Sequence, residues 1–179
     1  MRVTFIVEGP SDNIILNGQL PWFASLGLDI DIITAGNKCN MARKATKFYN
    51  ASIISGADHV VFLPDQDRDA CALVTRNKIG VDQLPRATTI VVKRELEAWI
   101  LADFHCINCT VAPNYHTVGI TDDIIDPKEK LSSIIHKKLG YIPTSVEAAN
   151  IFSNHFCLEK AASANNSASR LLRLTNSLL

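Results

Sequence analysis

The first hundred residues alternate between short β-branched, aromatic runs and longer stretches with helical spacing, and this alternation constrains the fold more than any other feature. Residues 2–7 (RVTFIV), 29–34 (DIDIIT), 59–64 (HVVFLP) and 88–92 (TTIVV) read as strands. Residues 13–26 carry Ile14, Ile15, Leu20, Trp22 and Phe23 in a helical pattern that Pro21 must kink or break, and Gly27 stops it. Residues 41–55 set Ala45, Phe48, Tyr49 and Ser52 at helical spacing, residues 70–79 run to Gly80, and residues 95–103 turn helical after the fourth strand. The order β-α-β-α-β-α-β, with strands apolar on both faces, predicts a Rossmann-like α/β fold: a mostly parallel four-stranded sheet flanked by helices and joined by right-handed crossovers.

The character changes near residue 105. Asn, Pro, His and Thr dominate up to residue 118, and three helix-like segments follow at 126–139, 145–156 and 158–179. The expected organisation is an α/β domain over residues 1–103 with a C-terminal helical extension, 104–179, packed on it. A chain that is 47% hydrophobic and 20% charged has the composition of an ordered globular protein. Its 18 basic and 18 acidic residues balance, which argues against holding nucleic acid by bulk charge alone. Local clusters remain, at Arg43, Lys44 and Lys47 and at Lys128, Lys130, Lys137 and Lys138; they read as solvated helix faces or as local basic patches. An odd count of five cysteines, with no signal-like segment before them, points to reduced thiols and a cytoplasmic location. No apolar run approaches the roughly 18 residues that span a bilayer, so no membrane association is expected.

Carboxylates stand where the chemistry of an open α/β sheet belongs, at the C-terminal ends of the strands. The first strand ends at Glu8, the third at Asp65 and Asp67, and the fourth at Glu95 and Glu97. Alternate residues leaving a strand point the same way, so Asp65 and Asp67 are expected to converge. Clustered carboxylates repel one another, and a hard cation such as Mg²⁺ or Mn²⁺ removes that cost. Asp12 and Asp69 are candidates for a surrounding layer or a second ion. The plainer reading of each acid is a helix cap or turn former.

Glu8-Gly9-Pro10-Ser11-Asp12 after a first strand, and Leu63-Pro64-Asp65-Gln66-Asp67 after the third, resemble the opening and the Asp-x-Asp of the Toprim family. The stretch from Arg94 to Asp103 (RELEAWILAD) resembles a signature of small bacterial Toprim-like proteins often found beside an ATPase of the ABC type in defence-related loci. The resemblance covers about residues 1–103 and relates the chain to the nucleases of the OLD family. It implies a Toprim fold and a metal-dependent site for phosphoryl transfer, that is, a Mg²⁺- or Mn²⁺-dependent nuclease acting on DNA or RNA in antiviral defence. By position it makes Glu8, Asp65 and Asp67 catalytic and metal-holding, with Asp12, Asp69, Glu95 and Glu97 as further ligands. Which of Glu95 and Glu97 faces the site stays open. An expected lysine motif is absent, and Lys93 and Arg94 stand nearby as candidates to steady phosphate charge, Lys93 as a catalytic group. The implied partners are nucleic acid and an ABC-type ATPase, with a homo-oligomer left open. The rival function is a non-catalytic subunit that binds and regulates that ATPase.

Three further patterns were weighed. Cys106, Cys109, His155 and Cys157 offer a Cys₃His zinc set, against the plainer reading of small core cysteines. Gly36-Asn37-Lys38 lacks the spacing of a phosphate-binding loop, so ATP binding is not expected of this chain. Trp99 reads as a core residue of a short helix.

Overall fold

The structure, a computed structural model, describes residues 1–116 and 119–179; Thr117 and Val118, at the end of the Asn- and Pro-rich stretch, lie outside the described residues. Strand β1 (Arg2–Val7) is central, with β2 (Asp29–Thr34) on one side and β3 (His59–Leu63) on the other, and β4 (Ala87–Thr89) beyond β3. All pairings are parallel, giving the order β2-β1-β3-β4. This is the four-stranded α/β architecture that the strand pattern predicts. Val7 is in register with both Thr34 and Leu63, so the first three strands end level with one another.

Side chains of the central strands alternate between two cores, as a pleated sheet requires. Val3, Phe5, Val7, Val61 and Leu63 face one layer, where Phe5 meets Phe23 edge to face with ring centres 5.4 Å apart. Ile6, Val60 and Phe62 face the other, against Met41, Ala45, Tyr49 and Ile79. Helices α1 (Pro10–Asn17) and α2 (Leu20–Ser25) serve the first face; α3 (Lys38–Arg43), α4 (Ala45–Ile54) and α5 (Ala72–Ile79) serve the second. The chain therefore switches faces between the β1–β2 and β2–β3 crossovers, which makes the gap between β1 and β3 the topological switch point.

The helical stretch over 13–26, which Pro21 must kink or break, is broken into two helices, with Pro21 in the first turn of α2, where its missing N–H costs nothing. Two sequence expectations need correction. The helix expected over 41–55 starts earlier, at Lys38, and breaks at Lys44, whose φ of −111° leaves the helical range. The fourth strand is shorter than 88–92: regular pairing ends at Thr89, and only an isolated bridge between Asp65 and Val92 follows. Pro64 explains the gap, since it has no N–H to offer the facing strand.

The C-terminal helices are α6 (Glu97–Ala102), α7 (Phe104–Thr110), α8 (Pro127–Leu139), α9 (Ser145–Phe152), α10 (Leu158–Ala162) and α11 (Asn166–Ser177), with a 3₁₀ turn at Thr121–Asp123. They complete the layer over the first face: Trp99, Ile107, Leu131, Phe152 and Leu171 join Val3 and Phe5 in one apolar cluster. All six residues of α6 are buried, and the Trp99 indole N–H donates to Ser167 Oγ at 2.8 Å. Helix α7 lies in the stretch that composition marked as irregular. Asp103 caps it, accepting from the Cys106 N–H at 3.1 Å, and also accepts from the distant Cys157 N–H at 2.8 Å. Among the described residues no helix is long and apolar enough to cross a membrane.

Helix α1 packs against α9 at Gly18, which caps the α1 C-terminus with an ordinary φ of −60°. The need for glycine there is steric: a Cβ would stand on the carbonyl oxygen of Ser153 and 2.8 Å from its carbon. Gly18→Ala is therefore expected to cost about 2–3 kcal/mol and lower the melting temperature by about 5–10 °C. An unchanged melting curve would show that α1 and α9 do not approach this closely.

Candidate functional site

Four carboxylates gather where β1 and β3 end. Glu8 follows β1 directly, and its Oε1 accepts the Asp65 N–H at 2.9 Å, bridging the switch point. Asp65 follows β3 and is 7% exposed. Asp12, in the first turn of α1, accepts the Gly9 N–H at 2.8 Å, which holds the carboxylate at the helix start. Glu97 opens α6 and lines one small cavity with Asp12, Ile15, Leu96, Ile100 and Leu131. Of the two glutamates left open by the sequence, Glu97 is the buried one and Glu95 the one bound to a lysine.

The electrostatics follow from burial and from like charges facing one another. Burial, reinforced by Asp67 and Asp12 against the Asp65 N–H and Lys38, raises the Glu8 carboxyl from its ordinary 4.5 to about 7. Burial also raises Glu97 from 4.5 to about 7, with Glu95 and Asp12 adding to it. Asp65 is pushed well above the usual range by burial and then by the charges of Asp12, Glu8 and Glu97. Asp12 is raised by burial, which outweighs its hydrogen bond from Gly9.

The cation that serves this group is one that the sequence did not single out. Lys128, in the first turn of α8 after the Asp126 cap, donates to Glu95 Oε1 at 3.2 Å, and its N–H lies 3.3 Å from Glu95 Oε2. Burial opposes its charge, but Glu97, Glu95 and Asp65 outweigh that and raise the ammonium pKa. Lys128 belongs to a run that reads as a solvated helix face, and it lies 33 residues from Glu95. No short-range pattern connects the two.

The Asp-x-Asp pair does not keep the strand alternation, although Asp67 stays near enough for its charge to act on Glu8. Asp67 has a φ of +49°, which takes it out of the extended alternation. Its carboxylate pairs with Lys38 at 2.7 Å, while its N–H donates to the carbonyl of Arg94, itself at φ +65°. Lys38, at the start of α3, also donates to the carbonyls of Asp65 and Gln66 at 2.8 and 3.1 Å and pairs with Asp69 at 3.3 Å. Burial works against the Lys38 charge, yet the bonds to Asp67 and Asp69 outweigh it and raise its pKa. Asp69 is held at about 2, chiefly by Lys78 and by Thr75 and Lys38. The Gly36-Asn37-Lys38 segment is thus a clamp on the acidic loop.

The remaining candidates lie apart from the carboxylate group. Lys93 reaches Asp123 at 3.5 Å, on the 3₁₀ turn. Arg94 buries its Nε without a hydrogen-bond partner among the described residues. Cys106 is buried and directs its thiol to the Phe152 carbonyl at 3.7 Å, and Cys109 lies 3.7 Å from His105 Nε2. Among the described residues, no three His, Cys, Asp or Glu side chains stand close enough to hold an ion as placed, so the Cys₃His set is not assembled. Compared with known protein families, with curated proteins and with solved structures, the chain finds no match.

Glu8 and Glu97 bind protons more tightly folded than unfolded, so their contribution to stability is full below about pH 4.5 and is lost as pH rises through about 7. The more deeply buried Glu97 should cost the metal-free fold roughly 3 kcal/mol at pH 8 relative to pH 4, and Glu8 less, being partly in water. Chemical denaturation between pH 5 and 8 should show a falling stability; a rise across that window would refute the arrangement. Lys128→Met should cost about 1–2 kcal/mol at pH 8 and less at pH 5, where Glu97 is protonated.

Proposed function

We propose that this chain is a Mg²⁺- or Mn²⁺-dependent hydrolase of phosphodiester bonds, a Toprim-type nuclease working in the cytoplasm on DNA or RNA. The observation that carries the reading is the gathering of buried Asp12, Asp65 and Glu97 with half-buried Glu8 at the switch point between β1 and β3. Four carboxylates, three of them buried and all repelling one another, offer the hard oxygen donors that suit a small divalent cation. Further support comes from the hydrogen bond between Glu8 and Asp65, one from each motif of the Toprim resemblance.

In this reading Glu8, Asp12, Asp65 and Glu97, drawn together from their present placement, would hold the ion, which when bound would supply charge neutralisation and polarise a phosphoryl oxygen. Glu8, the least buried of the four, is the one placed to take a proton from water. Lys128 brings positive charge to the edge of the group, in the place expected of Lys93, and offers it to a phosphate. Lys38 holds the 65–69 loop in shape through its bonds to two carbonyls and two carboxylates.

A second reading, a non-catalytic subunit that docks on an ABC-type ATPase, is favoured by one observation. Asp67, Asp69 and Glu95 are already paired with lysines of the chain itself, which leaves fewer free ligands. The two readings separate in one assay: cleavage of plasmid DNA, linear DNA and bulk tRNA in Mg²⁺ and in Mn²⁺, with Mn²⁺ binding followed by calorimetry. Asp65→Asn and Glu8→Gln should each lower cleavage by roughly 100-fold or more. Neither cleavage nor ion binding by the unaltered chain would favour the docking subunit.

A further inference from the structure

A groove runs along the outer edge of the sheet and reaches, at its inner end, Gln66, which follows Asp65 in the chain. Its two parts have volumes of about 500 and 600 Å³ and share Ala72, Val91, Arg170 and Arg173 in their walls. Its floor is the β4 edge, Thr88 to Val91, and its walls are α5 and α11. We propose that this groove takes up an extended acidic segment of a partner protein, which adds to β4 as a fifth strand.

The main chain of the floor supports this. The N–H groups of Ile90 and Val92 donate to the Phe62 and Pro64 carbonyls, each at 2.9 Å, so these residues direct their peptide groups toward β3. Alternation then turns the N–H and C=O of Thr89 and Val91 outward into the groove. Neither makes a main-chain hydrogen bond among the described residues, although both are buried, at 6% and 5% exposure. The next outward group, the Lys93 N–H, is taken by Ser167 Oγ at 3.2 Å, which closes one end of the groove. Buried peptide groups without partners are costly, and a docked strand supplies the missing donors and acceptors. Four floor residues accommodate roughly 13 Å of added strand.

The walls specify what that strand carries. Arg76, Arg170 and Arg173 line the outer part, and among the described residues no acidic side chain does. Arg76 is paired with Asp82 at 2.9 Å, whereas Arg170 and Arg173 are exposed and make no ion pair among the described residues. Leu73, 62% exposed, adds an apolar surface beside Ile90. In a chain of zero net charge this basic concentration is local. Asp122 lines the inner part; one of its oxygens accepts the Asn166 N–H at 3.1 Å and the other has no partner among the described residues, ready for a donor. An alternating segment of acidic and β-branched residues matches the arginines and the apolar surface of the outer part, and its main-chain N–H groups can donate to Asp122 at the inner part. A nucleic-acid strand would use the arginines but would leave the Thr89 and Val91 carbonyls without donors in register.

Fluorescence anisotropy with a labelled eight-residue peptide alternating Glu or Asp with Val or Thr tests this. The expected result is salt-sensitive binding with a dissociation constant of about 10–100 μM, weakened about tenfold or more in Arg170→Glu/Arg173→Glu and by a central proline in the peptide. The amides of Thr89 and Val91 should exchange more slowly with the peptide present. A lysine-substituted peptide should bind only the charge-reversed variant. No binding of the acidic peptide would overturn the proposal. So would insensitivity to proline, or displacement by a single-stranded oligonucleotide that itself slows no exchange at Thr89 and Val91. Cleavage assays report on the carboxylate site alone, so either proposal stands or falls without the other.

Discussion

Carboxylates that repel one another, kept from water at the ends of two adjacent strands, set the terms for much of this structure. Glu8 cannot leave, because it accepts the Asp65 N–H and so splices β1 to β3 just beyond their last paired residues. Asp12 cannot leave, because it secures the start of α1. Each acid thus has a local structural duty that pins its charge in place, and the duties together produce a crowding that no single one would. The fold tolerates this by keeping protons on part of the group and by bringing in ammonium groups from elsewhere.

Those ammonium groups come from two different layers. Lys38 arrives from the β2 side and binds the loop after β3, and Lys128 arrives from the C-terminal helices and binds Glu95. The acidic edge is therefore held between the α/β half and the helical half, and neither half contains all of its charges. Two backbone positions in the left-handed range, Asp67 and Arg94, face each other across this edge and are joined by a hydrogen bond. Strain of this kind persists only where the surroundings over-determine it.

What was legible in the sequence was whatever rests on local periodicity. The runs 2–7 and 29–34 became strands with the same bounds, because their β-branched side chains suit a pleated strand, buried on both faces in β1 and half-buried at the sheet edge in β2. The carboxylates at the strand ends were legible for the same reason, since topology alone carries them to one edge. The departure of Asp67 from the strand alternation was not, because it depends on one positive φ and on a lysine 29 residues away from Asp67. Lys128 was hidden in a helix whose other lysines do face water. Helix α7 was hidden by its composition, although Asp103 three residues before Cys106 is a capping signal that spacing alone would reveal.

Helix α6 bears on how the chain reaches this state. Six residues with every side chain buried cannot rest on the sheet alone, since one flank would face water until α8, α10 and α11 close over it. The tie from Gln19 to the Phe156 carbonyl and the Leu158 N–H spans 137 and 139 residues. Contacts of such long range require nearly the whole chain before they can form. On the ribosome, the sheet's first face would remain open until the final helices emerge. During that interval the exposed Phe5, Phe23 and Trp99 surfaces are what a chaperone would recognise, so the cell's folding machinery has a stake in the same helix that carries Glu97.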